Sequence, residues 1–164
     1  MNITLIGMPA CGKSTIGVLL SRAAGMQMLD VDRLIEREEG RSLAQIIARD
    51  GNAGFRAVEE RVNASLRAEN TVIAPGGSVI YSERAMEHLR RISMIVYLRL
   101  SYEAVSRRLR NPQARGVTMQ PGQTLADLYA ERIPLYARWA DLAIDCDTLR
   151  PREIVEAVRR ETGV

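Results

Sequence analysis

The chain alternates short, continuous apolar runs with longer segments in which apolar residues recur every three or four positions. The short runs are typical of buried strands: ITLIG (Ile3 to Gly7), TVIA (Thr71 to Ala74), ISMIVYL (Ile92 to Leu98), DLAID (Asp141 to Asp145) and, more weakly, MQMLD (Met26 to Asp30). The segments between them, such as GKSTIGVLLSRAA and SYEAVSRRLR, predict helices. Because strands that alternate with helices usually pair in parallel, the pattern predicts a three-layer α/β/α sandwich around a five-stranded parallel sheet.

Two segments interrupt the alternation. Residues 32–68 are almost wholly helical in pattern and too long for a simple crossover, and residues 111–123 are polar, rich in glycine and proline, and without periodicity. In open α/β sheets, ligands bind beyond the carboxyl ends of the strands. We therefore expect residues 32–68 to be a substrate-binding insertion and residues 111–123 to be a lid.

Composition and charge limit the function of the chain. Its 164 residues are 46% hydrophobic, which suits one domain spanning residues 1–164. The net charge of +3 is spread over arginines without interleaved aromatic residues, which argues against nucleic-acid binding and favours small anionic molecules. No apolar run approaches the roughly 18 residues of a membrane span, and the N-terminus lacks the layout of a signal peptide. We expect a cytoplasmic monomer without a membrane partner.

Cysteine and histidine are too scarce for a zinc site, a His-based triad or a disulfide framework to be expected. The chain has two cysteines, Cys11 and Cys146, and a single histidine, His88. The two cysteines are too few for a disulfide framework, and neither has the spacing of a zinc ligand.

The stretch GMPACGKST (Gly7 to Thr15) contains the only lysine of the chain, which otherwise uses arginine. It fits the pattern G-x-x-x-x-G-K-[ST] between a predicted strand and a predicted helix, the context of a phosphate-binding loop. Such a loop presents backbone N–H groups and a helix N-terminus to phosphates, and a compact ammonium fits it better than a forked guanidinium. The Ser14 hydroxyl is then a candidate ligand of Mg²⁺. We assign the nucleotide to Gly7, Cys11, Gly12, Lys13, Ser14 and Thr15.

Two aspartates, Asp30 and Asp32, follow the second predicted strand and can leave the same edge of the sheet. Phosphoryl transfer needs carboxylates in two places, near Mg²⁺ and near the attacking hydroxyl. Either aspartate taken alone could instead cap the following helix.

Two further stretches have both a functional and a structural interpretation. GFRAVEE places Arg56 three residues before Glu59 and four before Glu60, so Arg56 either binds an anion or forms an intrahelical ion pair. In APGGS, the backbones of Gly76 and Gly77 either lie against a ligand or form a plain turn.

Taken together, GMPACGKST, LDVD, FRAVEE, PGG and ERIPLYARWAD resemble the shikimate kinase family, in that order and at similar intervals. The similarity extends from the first strand to the last helix. It implies a P-loop fold of the nucleoside-monophosphate-kinase type, Mg-ATP as phosphoryl donor, and a carboxylated cyclic polyol as acceptor. The acceptor of that family is shikimate, and the product is shikimate 3-phosphate, an intermediate in aromatic amino acid biosynthesis.

The resemblance also implies the role of each matching residue. Lys13 matches the residue that contacts the phosphates, and Ser14 and Asp30 match the magnesium shell, with Asp30 acting through water. Asp32 matches the aspartate that binds the acceptor hydroxyls and is a candidate base. The remaining assignments are Arg56 and Arg132 to the acceptor carboxylate, Gly76 and Gly77 to backbone contacts with the acceptor, Phe55 to the pocket wall, Arg108 and Pro151 to adenine, and Arg115 to the lid arginine that closes over the transferring phosphate.

The chain departs from the family pattern at three places, all on the acceptor side. Gly76-Gly77-Ser78 stands where three glycines are usual, Gly116-Val117-Thr118 stands where Pro-Leu-Leu usually follows the lid arginine, and Gly54 stands where an acidic residue often precedes FR. A paralogue that phosphorylates a different small hydroxy acid therefore stays open.

Two other classes of nucleotide-binding protein fit the sequence less well. A regulatory GTPase needs an Asn-Lys-x-Asp motif, which a chain with no lysine beyond Lys13 cannot contain. A non-catalytic nucleotide-binding protein would keep the phosphate loop without needing Asp30, Asp32, Arg115 and Arg132. It remains the weaker alternative to a kinase.

Overall fold

The five apolar runs form the five strands of one sheet. The computed structural model describes residues 1–110 and 117–164. In chain order its elements are β1 (Ile3–Ile6), α1 (Lys13–Ala24), β2 (Gln27–Asp30), α2 (Val31–Glu39), α3 (Leu43–Ala64), β3 (Thr71–Ala74), a 3₁₀ helix (Val79–Tyr81), α4 (Glu83–Ile92), β4 (Met94–Arg99), α5 (Tyr102–Arg108), α6 (Leu125–Trp139), β5 (Leu142–Asp145) and α7 (Pro151–Thr162).

All neighbouring strands are parallel, in the order β2-β3-β1-β4-β5. Every residue of β1 and β3 is buried, as expected when helices cover both faces of a parallel sheet. The helices form two groups: α1 packs on α7, whereas α3 packs on α4, and α4 and α6 pack on β4. The predicted α/β fold with a five-stranded parallel sheet is confirmed. Because β1 is central, the loop that follows it lies in the middle of the carboxyl edge, where such sheets bind ligands.

The long helical segment forms two helices that meet at a short break. Ser42 begins α3 with a reciprocal cap, in which its hydroxyl accepts from the backbone N–H of Gln45 and its own N–H donates to the Gln45 side chain. In the described part of the chain no helix combines the length and apolarity needed to cross a bilayer.

A kink inside α3 explains one departure from the family pattern. Gly51 adopts φ 73° and ψ 177°, which interrupts the helix. A Cβ atom built on Gly54 would lie 2.6 Å from the Cβ atom of Asp50. Any larger residue at position 54, including an acidic one, would therefore require the backbone near Asp50 to shift. Asp50 is itself held by Arg41 at 2.8 Å.

The buried side chain of Asn2 makes three hydrogen bonds to backbone groups at the amino edge of the sheet. The amide group of Asn2, which is 7% exposed, donates to the carbonyl oxygens of Ala68 and Ile92 at 2.8 and 2.9 Å. Its oxygen accepts from the N–H of Thr71 at 3.0 Å. Asn2 therefore satisfies backbone groups that precede β3 and β4.

We predict that Asn2→Ala lowers the free energy of unfolding by about 2–4 kcal/mol, because it leaves buried backbone groups without partners. Denaturant unfolding measures this loss. Gln27→Ala, at an exposed position of β2, is the control and should change stability by less than about 0.5 kcal/mol. Equal effects of the two substitutions would contradict a structural role for Asn2.

Candidate active site

The loop after β1 has the backbone conformation that a phosphate-binding loop needs. Gly7 adopts φ 150°, and a Cβ atom there would lie 2.8 Å from the carbonyl oxygen of Leu98, so only glycine fits. Gly12 adopts φ 100° at the N-cap of α1, where no side chain caps the helix. The N–H groups of the first turn of α1 therefore remain available to an anion.

The side chain of Lys13 folds back over its own loop. Its ammonium donates to the carbonyl oxygens of Gly7 and Met8 at 2.9 and 3.0 Å. Cys11 is buried in the same loop, and a Cβ atom on Gly7 would lie 2.8 Å from its sulfur, so Cys11 fills space against the loop backbone. The loop carbonyls thus hold the lysine side chain at the phosphate loop.

The two interpretations of Asp30 are compatible. One carboxylate oxygen of Asp30 accepts from the N–H of Arg33 at 3.2 Å and caps α2. The other accepts from the Ser14 hydroxyl at 2.8 Å. Asp30 is therefore both a helix cap and the neighbour of the predicted magnesium ligand. The described residues contain no group of three or more His, Cys, Asp or Glu side chains that would hold a metal by themselves.

A cavity of about 610 Å³ opens beside the phosphate loop. Its walls come from the phosphate loop, α2, α3, the turn after β3, the start of the segment 117–123, and α6. The lining includes nine predicted site residues, namely Gly12, Lys13, Ser14, Thr15, Asp32, Phe55, Gly76, Gly77 and Arg132. One cavity thus connects the predicted phosphate site with most of the predicted acceptor site.

Two carboxylates with raised pKa values face the same side of Gly76. A Cβ atom built on Gly76 would lie 2.5 Å from Oε2 of Glu59 and 2.8 Å from Oδ1 of Asp32, and both oxygens are buried without a hydrogen-bond partner. Burial raises the pKa of Asp32 to about 6, although the Lys13 ammonium lowers it. Burial also raises the pKa of Glu59 to about 7, against the hydrogen bond from Ser78. Only glycine at position 76 leaves room for both carboxylates.

Ser78, which replaces a glycine of the family pattern, contacts one of these carboxylates. Its hydroxyl donates to Oε1 of Glu59 at 2.6 Å. The adjacent Gly77 is confined less tightly, since a Cβ atom there would lie 3.1 Å from the Arg132 guanidinium and 3.2 Å from the Tyr136 hydroxyl. The Tyr136 hydroxyl donates to the carbonyl oxygen of Gly77 at 2.6 Å and so fixes the turn.

Arg132 is a buried cation that forms no ion pair with any described residue. Its side chain is 1% exposed, and its guanidinium donates to the backbone oxygen and the hydroxyl of Thr118, both at 3.2 Å. It also approaches the Tyr81 hydroxyl at 3.4 Å. Among the described residues no carboxylate lies within 4.0 Å of it. Thr118, a second departure from the family pattern, thus supplies a hydroxyl to Arg132.

Arg56 and Arg132 both approach the aromatic ring of Tyr81. The guanidinium carbon atoms lie 4.2 and 5.4 Å from the ring centroid of Tyr81. The Nε atom of Arg56 is buried without a partner, and the ion pair with Glu59 or Glu60 that its spacing allowed does not form. Arg56 is not among the described residues that line the cavity, although it lies beside Arg132, which does.

The remaining predicted residues lie elsewhere. Arg108 ends α5 and Pro151 begins α7, and both are exposed and do not line the cavity. Arg115 lies outside the described residues. The described part of the predicted lid begins at Val117 and Thr118, which are buried, and Asn52 of α3 donates to the carbonyl oxygen of Met119 at 2.8 Å.

Several residues of the cavity were not predicted as site residues. Glu59 appeared only as a possible ion-pair partner, and Ser78 and Thr118 only as departures from a pattern. Glu36 of α2 lines the cavity and accepts from the N–H of Leu43 at 3.0 Å. The spacing of four residues between Asp32 and Glu36 places both on one face of a helix, and it is the one sequence signal that pointed to Glu36.

These features define the class of the protein: a P-loop phosphotransferase for small molecules, with an α/β sheet, a phosphate loop after its central strand and a cavity with charged side chains beside that loop. Relatives of known type narrow the class.

The sequence model of the family described as shikimate kinase matches residues 9–162. A shikimate kinase from Chlorobium chlorochromatii is 36% identical over 97% of this chain and 89% of its own. Among solved structures, a shikimate kinase from Acinetobacter baumannii in complex with shikimate has a TM-score of 0.87 and 31% identity, covering 98% of this chain and 92% of that one. The enzyme from Aquifex aeolicus has a TM-score of 0.85 and 30% identity, covering 99% and 96%. The chain belongs to the shikimate kinase family.

The raised pKa of Glu59 predicts how stability depends on pH. The folded protein holds a proton on Glu59 up to about pH 7, whereas the unfolded chain releases it near pH 4.3. Between these values the folded state binds more protons, so the contribution of Glu59 to stability falls as pH rises. Relative to wild type, Glu59→Gln should therefore gain on the order of 2 kcal/mol in unfolding free energy between pH 5 and pH 8.

Urea unfolding at the two pH values measures this difference. Glu60→Gln is the matched control, because Glu60 is the next residue of α3 and also accepts a serine hydroxyl, from Ser82 at 2.6 Å, outside the cavity. A pH-independent difference between Glu59→Gln and wild type would show that Glu59 is ionised normally.

Proposed function

We propose that the protein is a shikimate kinase that transfers the γ-phosphoryl group of ATP to a hydroxyl of shikimate and forms shikimate 3-phosphate. The observation that carries this proposal is one cavity lined by two kinds of group. Lys13 and the N-terminus of α1 line it, and so do the buried Arg132 and the carboxylates of Asp32 and Glu59. The first kind of group suits a donor phosphate, and the second suits a carboxylated alcohol.

The phosphate-loop part of the cavity suits a nucleoside triphosphate with magnesium. The Lys13 ammonium can exchange the loop carbonyls of Gly7 and Met8 for phosphate oxygens without leaving the loop. Ser14 and Asp30 offer hard oxygen atoms 2.8 Å apart, which fits a magnesium ion that completes its shell with water and phosphate. When bound, magnesium would neutralise charge on the phosphates.

Asp32 is suited to act as the base. Its Oδ1 atom is buried, faces the cavity side of Gly76 and has no partner, so it can accept the proton of an acceptor hydroxyl. Burial raises the pKa of Asp32 to about 6, which leaves the group ionised but basic near neutral pH. As the hydroxyl oxygen bonds to the γ-phosphorus, its proton passes to Asp32 and the bond to the β-phosphate oxygen breaks, releasing ADP.

Arg132 is suited to hold the acceptor carboxylate. A buried guanidinium without a counter-ion is costly, and a bidentate carboxylate would compensate it. Arg56 lies on the same tyrosine ring and would supply the second cation after a side-chain movement. Phe55 provides an apolar wall, and the N–H groups of Gly76 and Gly77 lie beside the cavity.

The adenine contacts and the lid rest on the family resemblance. Arg108 and Pro151 are proposed to enclose adenine, and Arg115 is proposed to contact the transferring phosphate. A cytoplasmic location, a monomeric state and a single functional domain over residues 1–164 likewise stay predictions.

We predict that the protein releases ADP from Mg-ATP in the presence of shikimate and that the carboxamide analogue of shikimate reduces efficiency about 30-fold to several thousand-fold, because two guanidinium groups lose their charged partner. A coupled assay of ADP release measures both. No turnover of shikimate together with brisk turnover of another hydroxy acid would keep the kinase and reject its acceptor. Brisk turnover of a neutral sugar would reject the roles of Arg56 and Arg132.

We predict that Lys13→Arg lowers kcat at least about 100-fold, because the guanidinium keeps the charge but does not fit between the loop carbonyls and the phosphates. Steady-state kinetics with saturating shikimate measures the change. Arg33→Lys, an exchange in the reverse direction at an exposed position of α2, is the control and should be neutral. Near-normal turnover of Lys13→Arg would show that charge alone matters at this position.

A further inference from the structure

Ser78 lies where the turn after β3 enters the cavity. Ser78 is 6% exposed, and its backbone has φ −89° and ψ −4°, a conformation that any residue can adopt. A glycine is therefore not required here for backbone reasons. Within the described parts of the chain, the Ser78 hydroxyl makes one hydrogen bond, which it donates to Oε1 of Glu59 at 2.6 Å.

That hydrogen bond fixes the orientation of a buried carboxylate. Glu59 is 2% exposed and projects from the C-terminal third of α3. With Oε1 anchored on Ser78, the second oxygen, Oε2, is held on the side of Gly76, 2.5 Å from the position of its missing Cβ atom. Without the hydroxyl, rotation about the terminal bond of the side chain would no longer be restrained, since such torsions are soft.

The anchored carboxylate leaves one buried acceptor unsatisfied in the cavity wall. Oε2 of Glu59 has no hydrogen-bond partner, and neither has Oδ1 of Asp32 on the same side of Gly76. A buried acceptor without a donor costs free energy, and a ligand that supplies the donor recovers it. Two such oxygens in one wall match a ligand with more than one hydroxyl group.

We propose that Ser78 is a positioning residue that determines acceptor specificity: its hydroxyl holds Glu59 so that Oε2 accepts a hydrogen bond from a second hydroxyl of the acceptor, beside the one that faces Asp32. This inference rests on the proposed function, because it assigns a polyol to the same cavity. It separates two roles for the two carboxylates. Asp32 serves the reacting hydroxyl, and Glu59 recognises a hydroxyl that does not react.

The test is a kinetic comparison of Ser78→Ala with wild type. Loss of one hydrogen bond to a charged group should raise KM for shikimate about 10-fold. kcat and KM for ATP should change less than about 2-fold, because the phosphate loop and Asp32 keep their contacts. Ser78→Thr keeps the hydroxyl and should restore KM.

Single-deoxy analogues of shikimate identify the hydroxyl concerned. The 4-deoxy and 5-deoxy compounds keep the hydroxyl that is phosphorylated. With the analogue that lacks the hydroxyl bound by Glu59, wild type and Ser78→Ala should have the same KM. With the other analogue, the 10-fold difference should persist.

Ser82→Ala is the matched control. Ser82 donates to Glu60 at 2.6 Å, as Ser78 does to Glu59, but neither Ser82 nor Glu60 lines the cavity. Ser82 also caps α4, so its loss should lower the midpoint of urea unfolding while leaving KM for shikimate unchanged.

Three outcomes are decisive. An unchanged KM for shikimate in Ser78→Ala would overturn the inference, as would a KM penalty that persists equally with both deoxy analogues. If Ser78→Thr is too large for the site, the analogue comparison still decides between positioning and general destabilisation. Failure of wild type to phosphorylate shikimate would instead overturn the proposed function, and the two failures are thereby distinguished.

Discussion

Unpaired buried charge is the constraint around which the cavity is arranged. Within residues 1–110 and 117–164, no carboxylate lies within 4.0 Å of the buried Arg132, and Asp32 and Glu59 each have a buried oxygen without a donor. Ionisable groups of both signs therefore lie in one cavity without forming an ion pair. Buried charged groups without partners lower stability, and they are retained where a ligand supplies the missing partners. A carboxylated polyol complements both, because its anion matches the guanidinium and its hydroxyls match the carboxylates.

The departures from the family pattern become intelligible in the light of that constraint. Ser78 donates to Glu59, and Thr118 accepts from Arg132, so two of the three departures add a hydroxyl to a buried charged group. The third, Gly54, follows from the kink at Gly51, which places the Asp50 side chain where a side chain of residue 54 would start. None of the three changes alters the phosphate loop. They adjust how the acceptor side of the cavity holds its charges.

Much of this architecture could be predicted from local patterns. Continuous apolar runs identified all five strands. In β1 and β3 every residue is buried, so no alternation is expected there. The edge strand β2 has no fully buried residue, which agrees with its weaker apolar run. The phosphate loop was also predictable, since Gly7 and Gly12 occupy conformations that few other residues reach. Asp30 showed the limit of this reasoning: the cap and the contact with Ser14 were treated as alternatives, although a carboxylate has two oxygens and serves both.

The contacts that sequence reasoning missed join residues distant in the chain. Glu59 was interpreted through its spacing from Arg56, because only neighbours along a helix are visible in a sequence; in the structure Ser78, 19 residues away, takes that place. Arg56 does not pair with Glu59; its guanidinium lies over the Tyr81 ring beside Arg132. Had Arg56 paired with Glu59, the glutamate would be neutralised within α3, and neither group would be open to a ligand. The serine hydroxyl is a neutral donor, so it holds Glu59 without forming an ion pair and leaves Arg56 available to the acceptor.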